Sequence, residues 1–293
     1  MMSGSSTKPE PPRWTALPPE IRLLILEAIT QQKNSGWASS AAVCKEWQFV
    51  IEKQNFRQLR LSAPCLREFE RIALRRQHLI RNILLDIELP CYTCQVCHHS
   101  ETESLRQHNS TLISNGIWKL FSILSAWGPA EQKGLELELN AHSPSDSDHW
   151  FKHYRFTSHR NPGHEDDAIS KWDWGARASR LLYDPHHGWW NCRQEKPPPK
   201  AAVVRLFTSI KLLFPAELPR VDVVTRLTIR RQLRRRLLPI ALQVLLAKLS
   251  RLEHMVYEPW RDLNRMRGEE IDHRACPSSS ADSMSRANIY IRG

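Results

Sequence analysis

Leu135-Glu136-Leu137-Glu138-Leu139 places leucine at every second position with a carboxylate between. A β-strand sends alternate side chains to opposite faces, so this pattern predicts a strand with one buried and one polar face. Four further pieces repeat the alternation: Phe56-Arg57-Gln58-Leu59-Arg60-Leu61, Ile83-Leu84-Leu85-Asp86-Ile87-Glu88-Leu89, Val224-Thr225-Arg226-Leu227-Thr228-Ile229 and Leu252-Glu253-His254-Met255-Val256-Tyr257. Helical spacing separates several of them, over Leu66–His78, Ile117–Trp127 and Ile240–Leu252. In the last of these, Leu242, Leu245, Leu246, Leu249 and Leu252 fall on one face. Strands alternating with helices predict an α/β fold.

Leu59 and Leu85 stand 26 positions apart, and Leu227 and Met255 stand 28 apart. Both distances lie within the roughly 20–29 residues of a leucine-rich strand-plus-helix repeat. Each such unit leaves an apolar face that only its neighbour covers, so the predicted architecture is an irregular leucine-rich-repeat-like arc. A compact α+β domain is the alternative. Residues 55–156 form the first repeat-like segment and 201–260 the second. Between them, 157–200 reads as a polar insertion holding Trp172, Trp174, Trp189 and Trp190, four of the chain's 11 tryptophans. Residues 261–293, with Pro277-Ser278-Ser279-Ser280, read as a polar, disordered tail that offers little to cap the last repeat.

Working back to the amino end, residues 1–13 are polar and read as a disordered leader without a secretory segment. Leu17-Pro18-Pro19-Glu20 then opens a helix. Proline is tolerated where the first turn has no backbone partner to lose, and Glu20 suits the positive dipole end. Ile21, Leu24, Ile25, Ala28 and Ile29 follow at helical spacing. A break at Asn34-Ser35-Gly36 leads to a second helical run, Trp37 to Trp47, continued by Phe49, Val50 and Ile51. Helices this short cannot hide all of their apolar surface against one another, so a partner is expected to cover the remainder.

The pattern Leu-Pro-x-Glu, then Ile-Leu, then a small-residue helix ending Val-Cys-x-x-Trp resembles the F-box, with Leu17, Pro18, Glu20, Ile21, Ile25, Leu26, Val43, Cys44 and Trp47 on its motif positions. Ser39 and Ser40 stand where that family has bulkier apolar residues. The stretches His142–Phe151 and Arg251–Trp260 also look like those of filamentous-fungal F-box proteins. The resemblance implies an F-box over 14–54 that docks on the adaptor Skp1, and through it a cullin, using Leu17, Pro18, Glu20, Ile21, Leu24, Ile25, Val43, Cys44 and Trp47. It implies a non-catalytic receptor of a ubiquitin ligase that presents a target protein in the cytoplasm or nucleus. A repeat scaffold that recruits no ligase, or a basic nuclear protein bound to nucleic acid, are the alternatives.

Charge and cysteine content narrow the field. The net charge of +11 is concentrated in 220–236, where Arg220, Arg226, Arg230, Arg231, Arg234, Arg235 and Arg236 face only Asp222. This stretch resembles a nucleic-acid or nuclear-localisation patch, but it overlaps an apparent strand, and a solvated or target-facing rim is the preferred reading. Seven cysteines, an odd number, predict reduced thiols. The longest apolar run, 237–249, is interrupted by Gln243 and Lys248 and is too short to cross a membrane.

No cofactor and no metal are expected. Cys91, Cys94, Cys97 and His98 (or His99) could share one tetrahedral zinc, but Cys44, Cys65, Cys192 and Cys276 are solitary and supply no distant second pair. A loop with free thiols is the preferred reading. His142, Asp146, Asp148, His149 and His153 read as a polar loop, and Cys44 as a buried, unactivated thiol. No phosphate-cradling glycine motif, nucleophile elbow or HExxH is present.

Overall fold

The computed structural model describes residues 14–32, 37–128, 134–151, 183–191, 193–230, 233–258 and 289–290. The chain divides into two compact units, Met1–Gln58 and Leu59–Gly293.

In the first unit, α1 (Pro19–Gln32) begins on a proline, with Glu20 in its first turn. A short 3-10 turn, Trp37–Ala42, precedes α2 (Lys45–Arg57). The second helical run is therefore broken at Val43-Cys44 instead of being continuous, because Cys44 adopts extended backbone at the N-cap of α2. The two helices are tied by Glu46, whose carboxylate accepts from Trp14 Nε1 at 3.0 Å and from Arg22 Nη1 at 2.9 Å. Trp14 packs edge-on against Trp47, ring centres 5.1 Å apart. Leu26 and Ile51 are buried.

The second unit is mixed α/β around a six-stranded sheet. Its strands are β1 (Gln58–Ser62), β2 (Asn82–Glu88), β3 (Leu135–His142), β8 (Val224–Ile229), β10 (His254–Tyr257) and β11 (Ile289–Tyr290), side by side in that order. β2, β3, β8 and β10 are parallel neighbours, and β11 is antiparallel to β10. β1 starts later than the alternation suggested, since Phe56 and Arg57 belong to α2.

Helices fill the connections: α3 (Leu66–Arg76) before β2, α4 (Glu103–Ser125) before β3, and α6 (Pro239–Leu246) before β10. α4 begins well ahead of the predicted Ile117. Thr102 caps it, accepting from Leu105 N, and its first half buries polar Asn109, Ser110 and Ser114, which hide the helical spacing. Among the described residues no helix is long and apolar enough to cross a membrane.

Register explains the alternation. Ile83 pairs with Leu137, Leu137 with Leu227, and Leu227 with Met255, and all four are buried. The 28-position spacing of Leu227 and Met255 is thus one step across the sheet.

The opposite face is polar. Asn82 donates to Glu136, Arg230 pairs with Glu138, and Asn140 donates to Asp86 at 2.8 Å. Asp86 also meets Arg60 Nη2 at 2.6 Å and His142 Nδ1 at 3.1 Å. Burial would raise the Asp86 pKa, but hydrogen bonds from His142 and Arg60 outweigh it and hold the carboxyl at about 2. A depressed carboxylate contributes stability that is present above its unfolded pKa and lost as pH falls through its folded one. Asp86→Asn should therefore cost at most about 2 kcal/mol at neutral pH, an upper figure because Arg60 remains 62% exposed. Urea titrations of both chains should converge as pH drops from about 4 towards 2.

Between β3 and β8 the chain makes a long excursion. Its described parts are an antiparallel meander of β4 (Tyr183–Asp184), β5 (Trp189–Trp190) and β6 (Arg193–Gln194), the helix α5 (Lys200–Leu206) and the short strand β7 (Ser209–Ile210), which pairs in parallel with β9 (Arg236–Leu237) from the connection after β8. Trp189 is buried and Trp190 exposed, while Trp172 and Trp174 lie outside the described residues.

Candidate functional site

Two features of the described residues stand apart from ordinary surface and core. The first is the apolar exposure of the N-terminal unit: Ile21 is 43% exposed, Leu24 59% and Val43 64%, with Leu23 and Phe49 also exposed. Pro18, Glu20 and Cys44 are exposed, and Leu17, Ile25 and Trp47 are half-buried. The expectation of a buried Cys44 is corrected by this placement, because the extended N-cap turns the residue outward.

The second feature is a cluster of cysteine and histidine. Cys94, Cys97, His149 and His187 each direct a ligand-type atom into one spot, all within 4.8 Å of one another. Cys94 Sγ and Cys97 Sγ lie 3.3 and 3.4 Å from His187 Nε2. Cys97 and His187 are buried, and Cys94 and His149 half-buried. His187 Nδ1 faces Asp184 Oδ2 at 2.6 Å, and His149 Nε2 faces the Tyr92 carbonyl oxygen at 3.4 Å.

Each segment is held from outside the cluster. The cysteine turn carries the hydrogen bonds Val96 N to Thr93 O and Cys97 N to Cys94 O. Arg205 on α5 donates to the carbonyls of His99 and Ser100, and its guanidinium sits 4.9 Å over the Tyr92 ring. Tyr92 in turn donates from its backbone to Ser145 Oγ and from its hydroxyl to Asp146. His187 ends a 3-10 turn closed by Gly188 at φ +71°, where a Cβ would come within 2.5 Å of the Lys196 carbonyl oxygen. Trp189 Nε1 and Gln194 Nε2 both donate to the carbonyl of Trp150, next to His149.

Burial, with Cys94 beside it, pushes the Cys97 thiol up to about 11, and burial lowers His187. Such a thiol is a weak nucleophile at neutral pH.

The structure separates the cysteine candidates. Cys94 and Cys97 converge, while Cys91 and His98 are exposed and stand outside the four-residue group. The side chains that the fold brings to Cys94 and Cys97 are two histidines from separate segments, in place of the second pair of cysteines sought in the sequence. His142 is drawn instead to Asp86, and Asp146 caps the Pro144–Ser147 turn. His153 lies outside the described residues. His149 was visible in the sequence within a polar run, one helical turn from His153 as metal ligands can be, and His187 only as one of a pair before Gly188-Trp189.

The arginine stretch requires correction as well. Arg220 and Arg236 are exposed, but Arg234 and Arg235 are buried. Arg235 pairs with Glu101 at 2.9 Å and donates to the carbonyls of Arg205 and Leu206 at the end of α5. Arg234 faces Asp146 at 3.9 Å. These two guanidiniums belong to the core and not to a rim, because carboxylates and carbonyls from remote segments meet them there: Glu101 before α4, Asp146 after β3 and the end of α5.

Comparison with protein-family models, curated proteins and solved structures returns no match for this chain.

Proposed function

We propose that the chain is a non-catalytic substrate receptor of an SCF-type ubiquitin ligase, acting in the cytoplasm or nucleus. Its first unit would be an F-box that docks on Skp1, and its second a leucine-rich-repeat-like arc that receives a target protein. The observation that carries the reading is the exposure of Ile21, Leu24 and Val43, side chains that a short helical module would cover with a partner. Parallel strands ordered along the sheet as in the sequence, with buried apolar residues in register, support the arc. The polar sheet face around Glu138, Asn140 and Arg230 suits target contact better than core packing.

The test is capture of Skp1 by the purified chain. Leu24→Asp combined with Val43→Asp alters two exposed residues and should leave the fold intact. Covering a large apolar side chain contributes about 1.5–3 kcal/mol, so the double variant should bind at least about 100-fold more weakly. Equal capture by both chains, or none by either, would refute the reading.

A further inference from the structure

We propose that Cys94, Cys97, His149 and His187 form a structural zinc site. The inference is independent of the ligase reading and rests on the geometry with which the turn after β2 meets the β3–β8 excursion.

Zinc bonded to sulfur at about 2.3 Å and to nitrogen at about 2.0–2.1 Å in a tetrahedron separates its ligand atoms by about 3.3–3.8 Å. The sulfur–nitrogen edges from Cys94 and Cys97 to His187 measure 3.3 and 3.4 Å, and the widest pair in the group must close by only about 1 Å. Two thiolates and two neutral imidazoles balance the dication, which makes such a charge acceptable in a half-buried place. On binding, the two thiol protons pass to solvent and no electron is transferred.

The histidine environment argues for a metal over a simple hydrogen bond. The Asp184 carboxylate can only accept, so His187 carries its proton on Nδ1 and presents a bare lone pair at Nε2. Both sulfurs approach that one nitrogen. A single lone pair accepts one thiol well, whereas a cation at the centre satisfies all the donors together. A carboxylate–histidine pair of this kind orients metal ligands and raises their basicity. The Tyr92 carbonyl oxygen occupies the corresponding position beside His149 Nε2, leaving Nδ1 of that ring as its bare nitrogen.

Four protein ligands leave no open position, so the site is structural and not hydrolytic. A two-iron cluster with both cysteines on one iron and both histidines on the other would hold sulfur well apart from nitrogen, contrary to the short edges seen. The ion would staple three segments: the turn after β2, the turn after β3 and the β4–β5 meander. It would add to the small apolar cluster of Cys97, Trp150, Phe151, Ala202 and Leu206 and to the hydrogen bonds that already join these segments.

The full chain, purified under reducing conditions, should contain one zinc per chain by elemental analysis. It should also take up cobalt(II) with the intense ligand-field bands of a tetrahedral site and thiolate charge-transfer absorption. His149→Ala and His187→Ala should each lose the stoichiometric metal, while Cys91→Ser and His98→Ala should keep it. If a histidine variant fails to fold, the cobalt spectrum of the unaltered chain decides alone. A folded chain that takes up neither ion, a Cys94–Cys97 disulfide in its place, full zinc in both folded histidine variants, or loss of zinc in Cys91→Ser would each overturn the proposal.

Discussion

Arg235→Leu should destabilise the chain by about 3–5 kcal/mol, the cost of leaving one partner of a buried ion pair without the other. Three acceptors depend on that guanidinium: Glu101 at 2.9 Å, and the carbonyls of Arg205 and Leu206 at 2.7 and 2.8 Å. The deficit should vary with pH in a defined direction. Burial already raises the Glu101 pKa, against the pull of Arg235 and Arg205. Without Arg235 it rises further, and a carboxyl raised on folding contributes stability that is lost as pH climbs through its folded pKa. The variant should therefore lag most at neutral pH and recover part of its loss under mild acid. Arg235→Leu combined with Glu101→Leu should be more stable than the single variant, because no charge is then stranded. Urea denaturation of the three chains at neutral and mildly acidic pH tests this. A single variant within about 0.5 kcal/mol of the parent would show that Arg235 is not an internal anchor.

Leu137→Ala should be comparably damaging. Leu137 is fully buried in the central strand, between Ile83 on one side and Leu227 on the other. Truncation removes apolar area and opens a cavity that neighbours held by ladder hydrogen bonds cannot collapse to fill, a loss of about 2–5 kcal/mol. For a unit of this size the melting temperature should fall by roughly 10 °C. Val244→Ala, on the half-open outer side of α6 at 39% exposure, should change stability by no more than about 0.5 kcal/mol. Similar losses in the two variants would mean that the register does not define the core.

The principal strands were legible in the sequence because their signal is local. Leu135, Leu137 and Leu139 alternate with Glu136 and Glu138, and the stretches that form β2, β8 and β10 carry the same two-residue rhythm, while the two-residue strands are too short to show it. Helix extents were harder to read. The buried polar residues Asn109, Ser110 and Ser114 disguised the first half of α4, and the tail of the predicted last helix turns off after Leu246. The cysteine turn announced itself by its spacing, yet its partners did not. His149 and His187 stand far along the chain, and only the folding of the β3–β8 excursion brings them to Cys94 and Cys97.

By itself the sequence determined which side chains each strand turns inward and which apolar residues crowd the short amino-terminal helices. Both follow from periodicity over a few residues, and no distant partner is needed to specify them. Only the tertiary structure decided that Arg234 and Arg235 are buried and that two cysteines meet two histidines. Those outcomes depend on where carboxylates, carbonyls and imidazoles from remote segments arrive, and a charge or a thiol looks the same in sequence whether or not its complement is delivered.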